Sequence, residues 1–201
     1  MLFKKIIIKI IYLYRRLYKL LFYFFTPNLR TIIRHRIKFT HKISSFNQIT
    51  LFRGNGIVEI GKNCSFGYKL GGFYRGGSIE LQPRYKNSFI KIGNKVATNN
   101  NIFICAANYI EIGDNVLIGQ GVCFMDSEAH GIQPDKRREI GEIGQIIIGN
   151  NVWIGNNVTI LKNSEIGANC IVAAHAVVSG KFPNNVIIGG VPAKIIKRID
   201  D

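Results

Sequence analysis

Three residues in this chain have the types and spacing for proton transfer: Asp126, Glu128 and His130, within Met125-Asp-Ser-Glu-Ala-His-Gly. A histidine that titrates near neutrality can take a proton from an acceptor hydroxyl or amine, and a carboxylate on its other ring nitrogen would fix tautomer and orientation. Asp126 and Glu128 are two residues apart and share a face of an extended strand, so either could reach the imidazole, and only one need do so. A histidine in a polar loop can also be no more than solvent-exposed. Other chemistries find less support. Cys64, Cys105, Cys123 and Cys170 form no C-x-x-C pair and no zinc spacing, which points to core filling and to no disulfide framework. No G-x-x-x-x-G-K-[ST] loop and no G-x-G-x-x-G between strand and helix is present, so nucleotide hydrolysis is unsupported.

The elements that must position His130 follow from a repeat. Every sixth residue from Ile146 reads Val152, Val158, Ser164, Cys170, Ala176 and Phe182. The residues two further on are Ile148, Ile154, Ile160, Ile166, Val172, Val178 and Asn184. A period of six is neither helical nor a simple alternation, so each unit must be a short extended piece followed by a turn. The turns read Ile148-Gly-Asn-Asn-Val, Ile154-Gly-Asn-Asn-Val and Ile166-Gly-Ala-Asn-Cys, where Gly and Asn tolerate positive φ. A unit this small cannot bury its own apolar face, so successive coils must stack into a solenoid around one continuous core. Related units begin at Ile60, Ile92, Ile112 and Ile118, and repeats are expected from about Val58 to Ile199. Cys64 and Cys170 occupy the small-residue slot.

Met125 to Gln145 is the longest polar excursion from this step, and excursions from a rigid scaffold commonly carry function. Shorter breaks at Gly71–Gly77 and Gln82–Asn87 read as loops thrown out of the stack, expected to cluster on one face, where they shape an acceptor pocket or are merely tolerated.

These repeats resemble the hexapeptide-repeat acyltransferases, and within them the sugar O-acetyltransferase branch. The resemblance implies an all-β solenoid, a left-handed parallel β-helix of triangular coils, assembled as a homotrimer with each site between adjacent solenoids. It implies acetyl-CoA as acyl donor with no metal required, a carbohydrate acceptor in surface polysaccharide biosynthesis, and His130 as general base. By the same resemblance Asn101 lies near the reacting groups, with the triplet Asn99-Asn-Asn leaving its register uncertain by one, and Trp153 packs beside the pantetheine arm or faces a subunit interface. The closing segment Ile171-Val-Ala-Ala-His-Ala-Val-Val, followed by Gly190-Val-Pro-Ala-Lys, gives Ala173, Ala174, Pro192 and Lys194 to coenzyme A, the small side chains along the cofactor and the lysine toward its phosphates. His175 stands where the family usually has Gly; it either touches the cofactor groove or serves the turn.

The net charge of +15 is uneven: eleven Lys or Arg and no Asp or Glu precede Ile43, leaving about +4 for the rest. A basic terminus on a nearly balanced body argues for a local anionic partner and against nucleic acid. Residues 1–42 thus form a basic amphipathic N-terminal segment and 43–201 the repeat domain. In 1–25, Phe3, Ile6, Ile7, Ile10, Leu13, Tyr14, Leu17, Leu20, Leu21 and Phe24 share a helical face, with Lys5, Lys9, Arg16 and Lys19 along another. Such a helix either lies on an anionic membrane surface or caps the open end of the solenoid, and Pro27 is expected to end it. His35 and His41, among basic neighbours, read as solvated. No apolar run is long enough for a bilayer span and no cleavage site follows residue 25, which suggests a cytoplasmic chain that could sit on the inner face of the membrane. Competing readings are N-acetylation of a nucleotide-linked amino sugar, for which the first 57 residues lack an α/β domain; metal-dependent hydration, for which the repeats hold only His130 and His175; and a non-catalytic membrane-associated trimeric scaffold.

Overall fold

In the computed structural model, which describes residues 2–34, 36–40 and 44–199, the chain winds through three sheets in turn. The first sheet holds strands Ile37–Phe39, Ile57–Ile60, Phe89–Ile92, Tyr109–Ile112, Gln145–Ile148, Ser164–Ile166 and Lys181–Phe182. The second runs from Ser45–Phe46 to Val186–Gly190, and the third from Thr50–Phe52 to Val177–Val178. All pairings within the coils are parallel, so each circuit contributes one strand to each face of a three-sided column. The last second-sheet strand folds back antiparallel onto Ala193–Arg198 and closes the C-terminal end.

The step of six becomes registry in the stack. Ile60, Ile92, Ile112, Ile148, Ile166 and Phe182 are paired position for position in the first sheet; Ile118, Ile154, Val172 and Ile188 do the same in the second, and Leu81, Ile104, Phe124, Ile160 and Val178 in the third. Most of these side chains are fully buried. At about 1.5–3 kcal/mol for each fully buried large aliphatic side chain, these ladders hold the column together. Cys64 and Cys170 are buried in it as free thiols.

Gly and Asn divide the work of the turns. The left-handed residues are mostly the later Asn of each unit: Asn115, Asn151, Asn157, Asn163 and Asn169 have φ of 55–61°. The glycine before them is required by close approach: a Cβ on Gly113 would lie 2.5 Å from Asn150 Oδ1 and 2.8 Å from the backbone of Gly149.

Two expectations for the N-terminal part are corrected. Repeats begin at Ile37, not Val58: Ile37–Phe39 pairs with Val58–Ile60, so the first coil starts inside the segment assigned to the terminus. That coil fills its core with Phe46 and Phe52, which already lie on the step of six that continues to Val58 and Cys64. Lys42 and Ile43, at the expected boundary, and His35 and His41 lie outside the described residues. Nor does Pro27 end the helix. Helix α1 (Leu2–Lys19) runs through a π-helical stretch, Leu20–Phe25, into α2 (Thr26–Ile33), with Pro27 in the first turn of α2. Proline lacks an N–H and its ring crowds the carbonyl four residues back; a wider π turn ahead of it relieves both.

The junction of these helices covers the open end of the column. Phe24 is buried, stacked on Phe46 at 4.2 Å between centroids and edge-on to Phe39 and Phe52. Asn28, equally buried, donates to the carbonyls of Phe24 and Thr50 and accepts the N–H of Phe52 at 2.7 Å. The cap is therefore residues 20–33, whereas α1 stays largely exposed.

Candidate functional site

The excursion after Met125 leaves the column between the third and first sheets and folds into a two-stranded arm. Ser127 and Ile143 form an antiparallel bridge; Glu128 N–H donates to Glu142 O at 2.9 Å, and Gly141 N–H to Glu128 O at 3.1 Å. The strands are so close that a Cβ on Gly141 would sit 2.6 Å from the carbonyl oxygen of His130. A short 3-10 turn, Pro134–Lys136, brings the chain back. It places the carbonyl oxygen of Arg137 2.7 Å from His130 Nδ1. A carbonyl can only accept, so Nδ1 carries the proton, and in the neutral ring Nε2 holds the lone pair. His130 is exposed, and among the described residues its Nε2 has no hydrogen-bonding partner.

Neither expected carboxylate orients the ring. Asp126 is fully buried, and its carboxylate accepts the backbone N–H groups of Ala107 at 2.6 Å and of Asn108 and Tyr109 at 2.9 Å each. Burial pushes this carboxyl up from the ordinary aspartate range, against the opposing pull of those N–H groups. Glu128 lies 3.3 Å from Lys162 Nζ and accepts the N–H of Glu142 at 3.3 Å. Lys162, in the next coil, also pairs with Glu142, whose second oxygen accepts from Asn163 Nδ2 at 3.1 Å. The hydrogen bond to Glu142 raises the Lys162 pKa and lowers that of Glu142. Asp126 fastens one coil to the preceding one, Glu128 fastens the arm to the column, and a backbone carbonyl holds the histidine. Lys162 and Arg137 carry no motif, and a carbonyl partner has no residue identity to read.

The remaining candidates lie on another edge. Between the second and third sheets, Asn101, Gly121, Asn157 and His175 stand in successive coils, all with positive φ. Asn101 and His175 are thus three coils apart in one column, about 14 Å at the usual interstrand spacing. Asn100 and Asn101 differ in their surroundings. Asn100 is buried and committed to Tyr68 N–H, Tyr68 O and Gly72 O, whereas Asn101 is exposed and its amide has no hydrogen-bonding partner among the described residues. Gln48, also buried, accepts Asn101 N–H and donates to Phe73 O, both at 2.8 Å. Gln48 and Asn100, which sequence reasoning missed, thus fix the Gly67–Ser78 loop beside Asn101.

His175 has φ 62° and places Nε2 3.4 Å from Asn157 Nδ2, so it serves the turn as the asparagines do. Ala173 donates to Ile188 O at 2.8 Å, and Ala174 next to it is exposed. Pro192 and Lys194, both exposed, lie in and just after the bend of the closing hairpin. Trp153 is 55% exposed on the outer face of the second sheet, in register with the exposed Leu117 and with Ile171. One chain therefore puts Asn101, Ala173, Ala174 and His175 along one edge of the third sheet and His130 beyond the other. A third-sheet strand of three or four residues separates the edges, about 10–13 Å. The two long loops leave at these opposite edges and do not cluster on one side. Among the described residues no group of three or more His, Cys, Asp or Glu is arranged to hold a metal.

Residues 145–180 match the family described as bacterial transferase hexapeptide (six repeats). Over 160 residues the chain is 33% identical to the putative lipopolysaccharide biosynthesis O-acetyl transferase WbbJ of Escherichia coli (strain K12), covering 73% of this chain and 74% of that one. The chain belongs to the hexapeptide-repeat acyltransferases. Among others of this family, the sophorolipid acetyltransferase of Starmerella bombicola is 49% identical over 113 residues, covering 56% of this chain and 43% of its own length. This hexapeptide-repeat chain thus spans less than half of that relative. A galactoside acetyltransferase solved in complex with coenzyme A superposes with a TM-score of 0.51 at 23% identity, covering 86% of this chain and 70% of the other. It shares the left-handed parallel β-helix.

Proposed function

We propose that this protein is an acetyl-CoA-dependent O-acetyltransferase that modifies a carbohydrate hydroxyl in surface polysaccharide biosynthesis, with His130 as general base. The observation that carries the reading is the His130 ring: Nδ1–H is held by the Arg137 carbonyl, and the Nε2 lone pair is exposed. Similarity to WbbJ and to the sophorolipid acetyltransferase supports acetyl transfer, and the first of these names supports a glycan acceptor.

In the proposed reaction, Nε2 takes the proton of the acceptor hydroxyl as its oxygen attacks the thioester carbonyl carbon of acetyl-CoA. The developing imidazolium keeps its Nδ1–H on the Arg137 carbonyl, which holds the ring in one orientation. When the tetrahedral intermediate collapses, the C–S bond breaks and the imidazolium returns its proton to the departing thiolate, leaving an acetyl ester and free CoA. The proposed donor site is the edge of Ala173 and Ala174, where small side chains let a long thin substrate lie against the backbone, with Lys194 exposed for its phosphates and Trp153 exposed on the adjacent sheet. His130 of one protomer in a homotrimer would then serve the donor edge of its neighbour.

The test is release of CoA thiol from acetyl-CoA by the purified protein with candidate saccharides. His130→Ala is expected to lower turnover by about 10²–10⁴-fold while donor binding is retained. Wild-type turnover in that variant would remove His130 from the reaction.

A further inference from the structure

The cap of the column is complete without α1, because Phe24 and Asn28 provide it. Helix α1 is left exposed from Lys4 to Tyr18: Ile10 is 61% exposed, Leu13 57% and Leu17 56%, with Ile6, Ile7 and Ile11 also in solvent. A cleft of about 1210 Å³ separates it from Ser45, Phe46 and Asn47 of the first coil. No helix among the described residues is long and apolar enough to cross a membrane. An exposed apolar stripe of this length marks an interaction surface.

Charge identifies the cover. Lys4, Lys5, Lys9, Arg15, Arg16 and Lys19 lie on α1, and the first 58 residues of the chain contain no Asp or Glu. A second copy of α1 would set six cations against six. A nucleic acid would satisfy the cations and leave the isoleucines wet. Tyr12, Tyr14 and Tyr18 are partly or well exposed among the cations, as amphipathic rings at a headgroup boundary are. At the cleft mouth Lys19 and Lys69 stand close enough that Lys69, after burial, contributes to holding Lys19 below the ordinary lysine range.

We propose that α1 lies in the surface of an anionic lipid bilayer, its aliphatic side chains entering the acyl boundary and Lys4, Lys5, Lys9, Arg15 and Arg16, with Lys69, against phosphate headgroups, while Lys19 donates to Asn47 Oδ1 at 2.8 Å and ties the helix to the first coil. The solenoid then stands on the membrane by its N-terminal end. The arrangement is independent of acetyl transfer, and its test reads binding, not turnover.

Full-length protein is sedimented with phosphatidylcholine vesicles and with vesicles that also contain phosphatidylglycerol. The wild type is expected to pellet with the anionic vesicles only and to be released by salt. Replacing Lys5→Gln, Lys9→Gln and Arg16→Gln together should lower the partition coefficient about a hundredfold. Replacing Ile10→Ser, Leu13→Ser and Leu17→Ser should abolish pelleting, with thermal unfolding of the body unchanged in both variants. Wild type in the supernatant, equal recovery on neutral vesicles, or undiminished recovery of either variant would overturn the proposal. So would a smaller assembly in solution for the serine variant, which would identify a second copy as the cover.

Discussion

Asp126 separates a catalytic carboxylate from a structural one, and the two roles predict opposite outcomes for Asp126→Asn. In the structure Oδ2 accepts two N–H groups, from Asn108 and Tyr109, and Oδ1 accepts one, from Ala107. Asparagine can place its carbonyl where Oδ2 stands and keep two of these bonds. Its NH₂ then faces the Ala107 N–H, donor to donor, at a fully buried site. An orphaned buried donor costs about 1–3 kcal/mol, and two are created, so the loss is about 2–6 kcal/mol. Burial already pushes the Asp126 carboxyl up, so the carboxylate is itself partly penalised and the lower half of that range is expected. Urea unfolding followed by circular dichroism at neutral pH reads the loss as a lower midpoint at unchanged slope. Turnover of the folded fraction, measured well below the transition, should stay within a few-fold of wild type. If stability stays within about 0.5 kcal/mol while turnover collapses, Asp126 is the partner of the histidine after all and the structural assignment is refuted.

Phe24→Ala removes the ring that fills the end of the core, and a loss of about 3–5 kcal/mol is expected in the same unfolding assay, with amide exchange rising first in the Ile37–Phe52 coil. Lys162→Met unties the arm from the column without touching His130; turnover should fall by roughly ten- to a hundredfold through misplacement of the ring, with little change in the unfolding midpoint, and unchanged turnover would show that the arm holds itself. Hydrogen bonds from Lys91, then Tyr109, hold the Glu111 carboxyl below its ordinary value. A depressed carboxylate contributes stability that is complete above its unfolded pKa, about 4.3, and is lost as pH falls through the lower folded value. Because the Lys91 and Glu111 side chains are 44% and 31% exposed, the contribution is at most about 1 kcal/mol. Acid titration of wild type and Lys91→Met should therefore converge below that pH, and parallel curves would count against the linkage.

The solenoid was legible in the sequence because a fixed step of six puts one residue of each coil directly beneath its counterpart, and registry turns a local pattern into a global one. The first coil was missed although Phe46 and Phe52 keep the step of six, because no Ile-Gly-x-Asn turn precedes Ile60 and the helical cap adjoins it. His130 was picked out as the histidine of the polar excursion, and Asn101 only through the family resemblance. The partners were missed for a physical reason. Asp126 is separated by some twenty residues from the N–H groups it accepts, and the ring is held by a main-chain oxygen, which any residue at 137 would supply. The glycines were assigned to the wrong cause: positive φ falls mainly on asparagine, while glycine answers to the coil above, a contact between units invisible within one.

The outer faces of the column argue for how the proposed site is completed. The first sheet shows water a charged ladder, with Lys91 paired to Glu111 and Lys181 to Glu165. The second presents Leu117, Trp153 and Ile171, and the third a mixed row of Glu80, Phe103, Cys123, Thr159 and Val177, all at least partly exposed. Burying the apolar second face and the third face, which holds no ion pair among the described residues, against other chains, and leaving the charged first face to solvent, costs less in desolvation than burying the first. On the proposed reading that same packing does the chemistry's positioning. It closes the gap that one chain leaves open, because the edge beyond which His130 projects and the edge that carries Ala173 and Ala174 bound the same third sheet on opposite sides. A protomer kept monomeric by charges placed at Leu117 and Val177 should then fold, keep its His130–Arg137 hydrogen bond, and transfer nothing.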